Sequence, residues 1–197
     1  MRHQNRETGI PTRKQEVYED YAYVLAFFPR ANSKVIARKT GFIVEALGER
    51  YFKLLELLAF DNATFTLGER IYIGKPDSRG KIISVLGRLT YDMLSPDSKD
   101  EIPRIIEKIV KNNEKYFVNY FNTLQPINPR VHALELLPGV GRKYRDIILR
   151  EREKKAFESL EELEKRCGLN DPLKIITKRV LDELTGQTRY NIFVRRE

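Results

Sequence analysis

The chain has 197 residues, a formal net charge of +8 and 32% charged side chains. This length supports one large domain or two small ones, each with a core of its own. The single cysteine, Cys167, excludes a disulfide framework and a cysteine metal site. With only two histidines besides, the sequence offers almost no ligands for zinc or haem, and we expect no metal and no cofactor.

The apolar runs, of which 21–28 is the longest, are too short to span a bilayer. The charged N-terminus lacks the apolar segment of a signal peptide, so we expect a cytoplasmic protein without membrane contacts. The positive charge favours a polyanionic partner and lies towards both ends. Residues 1–91 carry 15 basic and 10 acidic side chains, residues 92–129 carry 5 and 6, and residues 130–197 carry 16 and 12. Two basic modules joined by a structural segment are therefore predicted.

Residues 1–15 lack periodic apolar side chains and are expected to form a flexible basic arm. Residues 16–92 show short runs of strand-forming residues interrupted by glycine, a pattern typical of β structure. The predicted strands are 21–28, 42–47, 51–58, 63–67, 70–73 and 82–91. Strands of this number and spacing indicate a small OB-like β-barrel.

Residues 93–127 are predicted to be connecting helices, because the apolar period changes after residue 95. Five apolar residues recur at the spacing of one helix face: Ile102, Ile105, Ile106, Ile109 and Val110. Pro103 is acceptable only in a first turn, so Asp100 is predicted as the N-cap.

Residues 128–187 are predicted to form an all-helical domain, which gives the chain an α+β fold. The first of its helices is expected to begin at Asn128-Pro129, the second near Arg142, the third after Ser159 and the fourth at Asp171-Pro172. Residues 160–184 would then form a degenerate second hairpin. The alternation in residues 188–197 predicts a strand that returns to the barrel or pairs across a dimer.

The segment Leu137-Pro138-Gly139-Val140-Gly141-Arg142-Lys143 carries the strongest functional signal. It is typical of a helix-hairpin-helix motif, in which the unpaired N–H groups and positive dipole at the start of the second helix face a phosphate. Arg142 and Lys143 stand at that helix entrance, and Arg150 follows one to two turns later. The alternative is a glycine-capped turn without a ligand. Arg145 occupies a position at which the motif usually has a small Ala, which implies a wider hairpin or a side chain directed to the surface.

A second candidate surface lies on the predicted barrel. Arg70 and Tyr72 share one face of their strand, and the following loop carries Lys75, Arg79 and Lys81. OB folds hold single strands with a cationic loop beside an exposed aromatic side chain. The alternatives are a packed Tyr72 and a solvated loop.

Several motifs together resemble one family. They are Gly48-Glu49-Arg50-Tyr51-Phe52, Gly68-Glu69-Arg70-Ile71-Tyr72-Ile73-Gly74-Lys75, Gly87-Arg88-Leu89-Thr90-Tyr91 and His132-Ala133-Leu134-Glu135-Leu136-Leu137-Pro138-Gly139-Val140-Gly141. The chain is similar to the archaeal "domain of unknown function 655" family over nearly all of residues 17–194. The resemblance implies an OB-like domain joined to a helical domain with the hairpin motif, in proteins described as nucleic-acid-binding. By analogy it favours RNA slightly and suggests a link to translation or ribosome assembly.

Enzymes that share the hairpin need residues that this sequence lacks. It has no Val-Asp-Thr-His segment of base-excision glycosylases, no four-cysteine cluster, no Glu-Arg-Lys-x-x-x-Asp nuclease pattern and no P-loop. We therefore predict a non-catalytic protein that binds the backbone of RNA or DNA. A module for protein interaction or dimerisation is the first alternative, and a DNA-repair-type enzyme is the second. A ribosome or another protein is a further candidate partner.

Overall fold

The computed structural model describes residues 18–195 and has a mixed α+β fold. The expected basic arm, residues 1–15, lies outside the described residues. One curled antiparallel sheet is formed by β1 (Tyr21–Asn32), β2 (Thr40–Gly48), β3 (Leu54–Ala59), β4 (Arg70–Tyr72) and β5 (Ile82–Arg88). The order of the strands is β4-β1-β2-β3-β5.

The second half of the described chain is mainly helical. Its helices are α1 (Pro96–Asn112), α2 (Glu114–Thr123), α3 (Arg142–Lys154), α4 (Leu160–Cys167) and α5 (Pro172–Leu184). Between α2 and α3, β6 (Pro126–Asn128) and β7 (Val131–His132) form a small second sheet, followed by a 3-10 turn at Ala133–Leu136.

Alternate residues of β1–β3 point to opposite sides of the large sheet, and both sets of side chains are mainly apolar. On one face, Val24 and Val44 belong to a core that the curled sheet shares with its own loops. On the other face, Leu25 and Leu47 pack into the core that contains Ile105 of α1 and the other helices. The sheet therefore supports the helical part, and its exposed surfaces are its edges and loops.

The sheet forms half of a barrel rather than a closed one. In the part of the chain that the structure describes, β4 and β5 are edge strands, each paired with a single neighbour. Three residues make up β4, and the chain then turns at Pro76 into a short 3-10 helix. Closure requires hydrogen bonds between the two edges, so the predicted barrel stays open on this side.

One predicted strand and one predicted helix cap are wrong. Residues 63–67 form an irregular loop instead of a strand, because Phe65 leaves the sheet to pack edge-on against Phe42, with ring centroids 5.5 Å apart. The first long helix is capped by Ser95 and not by Asp100: Ser95 Oγ accepts the Ser98 N–H at 3.2 Å. Pro103 consequently lies inside the helix, which tolerates the loss of one backbone hydrogen bond there.

The helix predicted to begin at Asn128-Pro129 does not form. Asn128 Oδ1 accepts the N–H groups of Arg130 and Val131 at 2.9 and 3.0 Å, which makes a side-chain turn between β6 and β7. Helical backbone starts only at Ala133, after His132. There, His132 Nδ1 accepts the Leu134 N–H at 3.1 Å.

The predicted C-terminal strand does not form in residues 188–195. Its backbone donors are instead bound by the buried carboxylate of Glu183 on α5, which accepts the N–H groups of Ile192, Phe193 and Val194 at 2.8–2.9 Å. One backbone hydrogen bond does reach the sheet region, from Arg195 N–H to Tyr51 O at 3.1 Å. The segment therefore docks on a helix side chain and forms no β-ladder.

Candidate nucleic-acid interface

The Gly-Val-Gly turn before α3 exposes backbone donors. Gly139 has φ of +77°, a left-handed conformation that favours glycine. Val140 is only 3% exposed and donates its N–H to Leu137 O at 3.0 Å, so its amide is not available to a ligand. The N–H groups of Gly139, Gly141, Arg142 and Lys143 form no hydrogen bond with any residue of 18–195. The predicted site at 139–143 is thus reduced by one donor.

The start of α3 differs from the starts of α1, α4 and α5. The side chains of Ser95, Ser159 and Asp171 cap those three helices. Gly141 begins α3 without a side-chain cap, and no acidic residue occupies its first turn. The positive end of its dipole is therefore not compensated by a local carboxylate or hydroxyl.

The predicted cations of α3 are all exposed. Neither Arg142 nor Lys143 forms an ion pair with a residue in the described range. Arg150 has 66% of its side chain exposed and approaches Glu151 no closer than 3.9 Å. Three cations thus lie along α3 with little or no internal neutralisation.

Arg145 joins the two sides of the turn. Its guanidinium donates to Glu135 at 2.8 Å and to Asp146 at 2.8 Å. The hydrogen bond from Arg145 to Glu135 lowers the pKa of the Glu135 carboxyl, which also accepts the His132 N–H at 3.2 Å. The side chain is 24% exposed, so it lies across the hairpin and is not directed to the surface.

A cleft of about 730 Å³ opens beside the turn, with residues 135–141 on one side and α5 with residues 187–190 on the other. Arg179 lines the cleft, is 6% exposed and contacts both sides. Its guanidinium donates to Leu136 O and Glu183 Oε1, both at 2.7 Å, and also to Tyr190 O.

The sequence analysis missed Arg179 and Glu183. The signal was present, because both charges fall on the same helical stripe as the buried Ile176 and Val180. Ionised side chains are rarely buried unless they are paired. Two opposite charges four residues apart on an apolar face therefore indicate a buried ion pair.

The cation of β4 has an internal partner. Arg70 donates from Nε and Nη2 to the two carboxylate oxygens of Glu49, each at 2.8 Å, and its guanidinium lies 3.4 Å from the centroid of the Tyr21 ring. The hydrogen bonds from Arg70 lower the pKa of Glu49. Tyr72 packs edge-on against Tyr21 at 5.2 Å, and its hydroxyl accepts the Lys75 N–H at 3.0 Å.

Two of the three loop cations are also engaged. Arg79 Nε donates to the carbonyls of Ile73 and Gly74, both at 3.0 Å. Lys81 Nζ donates to Glu69 at 2.5 Å and to a loop carbonyl at 2.7 Å. The Lys75 side chain is exposed and has no ion pair in residues 18–195. None of the five predicted sheet residues lines the cleft beside the hairpin.

The range 18–195 contains no group of three or more His, Cys, Asp or Glu side chains placed to hold a metal ion. Nor does any helix in it have the length and apolar character needed to cross a membrane.

Residues 18–195 match a family described as "Protein of unknown function (DUF655)". The chain belongs to the DUF655 family. One DUF655 relative is the uncharacterised protein MJ0038 of Methanocaldococcus jannaschii, which is 40% identical over 184 residues, or 92% of this chain and 82% of the relative. The crystal structure of another, Af1531 from Archaeoglobus fulgidus, has a TM-score of 0.79 and 39% identity, covering 90% of this chain and 100% of that one. The resemblance to an archaeal family is thus confirmed.

Proposed function

We propose that this protein binds the phosphate backbone of a nucleic acid at the Gly-Val-Gly turn and the start of α3. The observation that carries the proposal is the set of four exposed amides without internal partners, at a helix start that has no cap. Exposed Arg142 and Lys143 stand beside these amides. Backbone donors, a helix dipole and cations are together the usual components of a phosphate site.

The finer fold assignment belongs to the same proposal. We infer that the turn is a helix-hairpin-helix motif whose first helix is reduced to the 3-10 turn at Ala133–Leu136. The half-barrel is a divergent OB-like domain, since its strand order is that of an OB barrel opened between β4 and β5. In this assignment, the sheet surface contributes less to binding than the hairpin, because Arg70, Arg79 and Lys81 are already hydrogen-bonded within the chain.

The site supports binding without chemistry. Its nearby carboxylates, Glu135 and Asp146, both accept hydrogen bonds from Arg145, so each already has a cationic partner, and the bond from Arg145 lowers the pKa of Glu135. We propose that the protein is a non-catalytic binder, and we expect it in the cytoplasm. RNA is slightly favoured as its ligand, by analogy with the family's suggested link to translation. A protein-interaction module with the turn covered by a partner is the alternative.

Binding of fluorescently labelled RNA and DNA, measured at several salt concentrations, tests the proposal. Affinity should fall steeply between about 50 and 200 mM salt, because phosphate contacts release counterions. Lys143→Glu should weaken binding roughly tenfold for all sequences alike and reduce the salt dependence, as expected for backbone contacts.

Lys115→Glu is the matched control, since Lys115 is an exposed lysine of α2 that does not line the cleft. This variant should bind like the unmodified protein. Absence of nucleic-acid binding at low salt would exclude the proposed function and favour the protein-interaction alternative. Loss of binding for only some sequences in Lys143→Glu would contradict backbone contact.

A further inference from the structure

We propose that the cleft beside the turn holds the nucleoside attached to the bound phosphate, so that the preferred ligand is an unpaired single strand. This inference rests on the proposed function and specifies its substrate. It is carried by the position of the cleft, by the side chains on its far side and by the buried Arg179–Glu183 pair, called here the brace, that connects its two walls.

The position of the cleft links it to the phosphate site. Gly139 and Gly141, whose amides are available to a phosphate, are themselves part of the cleft lining. A phosphate bound to these amides is covalently attached to sugars on both sides. The covalent structure of the nucleic acid therefore places one of the adjacent nucleosides at the cleft entrance.

The size of the cleft suits a single nucleoside. Its volume of about 730 Å³ leaves room for a nucleoside, and the cleft is open to solvent on one side, so a nucleoside can enter it from the bound backbone. A base in a duplex is stacked and paired, and it reaches a concave pocket only by being flipped out, which costs a few kcal/mol. An unpaired strand enters without that cost.

The far wall has the side chains that single-stranded nucleic acids use. Tyr190 lines the cleft and is half-buried, and the Arg189 guanidinium lies 5.4 Å from the centroid of its ring. Aromatic rings and guanidinium groups stack on bases of any sequence. Lys178 and Arg189 are exposed and have no ion pair within residues 18–195, so they are available to neighbouring phosphates.

Negative charge in the lining is limited. Glu135 is already paired with Arg145. Asp182 is the other carboxylate of the lining, is half-buried, and lies one helical turn from Lys178 on α5. The cations therefore outnumber the unpaired carboxylates around the cleft.

The two walls are held at a fixed separation before any ligand binds. Arg179 donates to Leu136 O on the hairpin side and to Tyr190 O on the far side. Its guanidinium also donates to the buried carboxylate of Glu183. A preformed cleft avoids the entropic cost of ordering loops on binding. Arg179 is thus a positioning residue for both parts of the site.

The test compares binding of a labelled single strand of about 12 nucleotides, as RNA and as DNA, with binding of the blunt duplex of the same sequence. The single strand should bind at least about tenfold more tightly. Lys178→Glu combined with Arg189→Glu should weaken single-strand binding roughly tenfold and change duplex binding much less. Tyr190→Ala should weaken single-strand binding several-fold, while the brace persists because Arg179 contacts the Tyr190 backbone carbonyl.

Lys143→Glu and Lys115→Glu accompany these variants as the reference for the phosphate site and the charge control. If Lys143→Glu loses binding while the cleft variants bind the single strand normally, the cleft inference is wrong and the proposed function stands. Equal or tighter binding of the duplex would also overturn the inference. If the unmodified protein binds neither form at low salt, the proposed function itself fails. Thermal unfolding of each variant distinguishes lost contacts from lost folding.

Discussion

The cations on the sheet and those at the start of α3 differ in what surrounds them. Arg70 is paired with Glu49 through two hydrogen bonds, and Lys81 is paired with Glu69. Arg142 and Lys143 have no such partner within residues 18–195, and the amides beside them are also unpaired. The sequence presents both groups as basic residues near glycine.

The difference shows that internal pairing, more than local charge, locates an interface. A paired cation must give up existing hydrogen bonds before it contacts a ligand, and those bonds are charge-assisted. A solvated cation only exchanges water and counterions, which favours binding to a polyanion. The hairpin cations are therefore expected to affect affinity, and the sheet cations are expected to affect stability.

The largest predicted effect comes from breaking the brace beneath the hairpin. Glu183→Ala leaves the buried Arg179 without its carboxylate and leaves three backbone N–H groups without an acceptor. The free energy of unfolding should fall by about 3–5 kcal/mol, the cost of breaking a buried ion pair. Urea or guanidinium unfolding measures this change. Glu164→Ala, at an exposed position of α4, should change stability little; equal losses in both variants would contradict the brace.

An intermediate effect is expected on the sheet. Arg70→Met should lower the free energy of unfolding by about 1 kcal/mol, because it removes a two-bond ion pair and a guanidinium–ring contact that are both partly exposed. Its affinity for nucleic acid should match that of the unmodified protein. Arg142→Met should give the opposite pattern, with weaker binding and unchanged stability. If Arg70→Met loses affinity without losing stability, the contrast between the two regions is wrong.

The pH dependence of stability provides a second measurement on Arg70→Met. Arg70 lowers the pKa of Glu49 in the folded protein. The carboxylate therefore stabilises the fold above the ordinary glutamate pKa of about 4.3, and this contribution is lost as the pH falls through the lower folded value. Arg70→Met should make the stability profile flatter in this acidic range. An unchanged dependence of stability on pH in this range would show that the pKa of Glu49 does not depend on Arg70.

The smallest effect is expected at Gly141. Its backbone is extended, with φ of −84°, and an added Cβ would meet no atom within 4 Å, so the fold does not require glycine here. Gly141→Ser supplies the N-cap that α3 lacks and should raise the free energy of unfolding by a few tenths of a kcal/mol. The same hydroxyl would bond the amides proposed to hold a phosphate, so affinity should fall. A variant that is both more stable and equally tight would indicate that these amides do not contact the ligand.

Local signals predicted much of the fold. Ser159 and Asp171-Pro172 mark the starts of α4 and α5, and α3 begins at Arg142 as expected. These elements were predictable because a cap or a helix-initiating proline acts within one turn of chain. The prediction of a strand near the C-terminus was wrong. The alternation around Ile192 has the same pattern whether the backbone N–H groups of this segment bond a neighbouring strand or the Glu183 carboxylate.

The sequence by itself determined the family, the mixed α+β composition and the position of the Gly-Val-Gly turn, because these depend on residues close together in the chain. Only the tertiary structure decided that the sheet stays open, that Arg79 bonds loop carbonyls and that Arg179 braces the cleft. Arg179 and Leu136 are 43 residues apart, and no local pattern encodes their hydrogen bond. Which cations remain available to a ligand depends on such distant pairings.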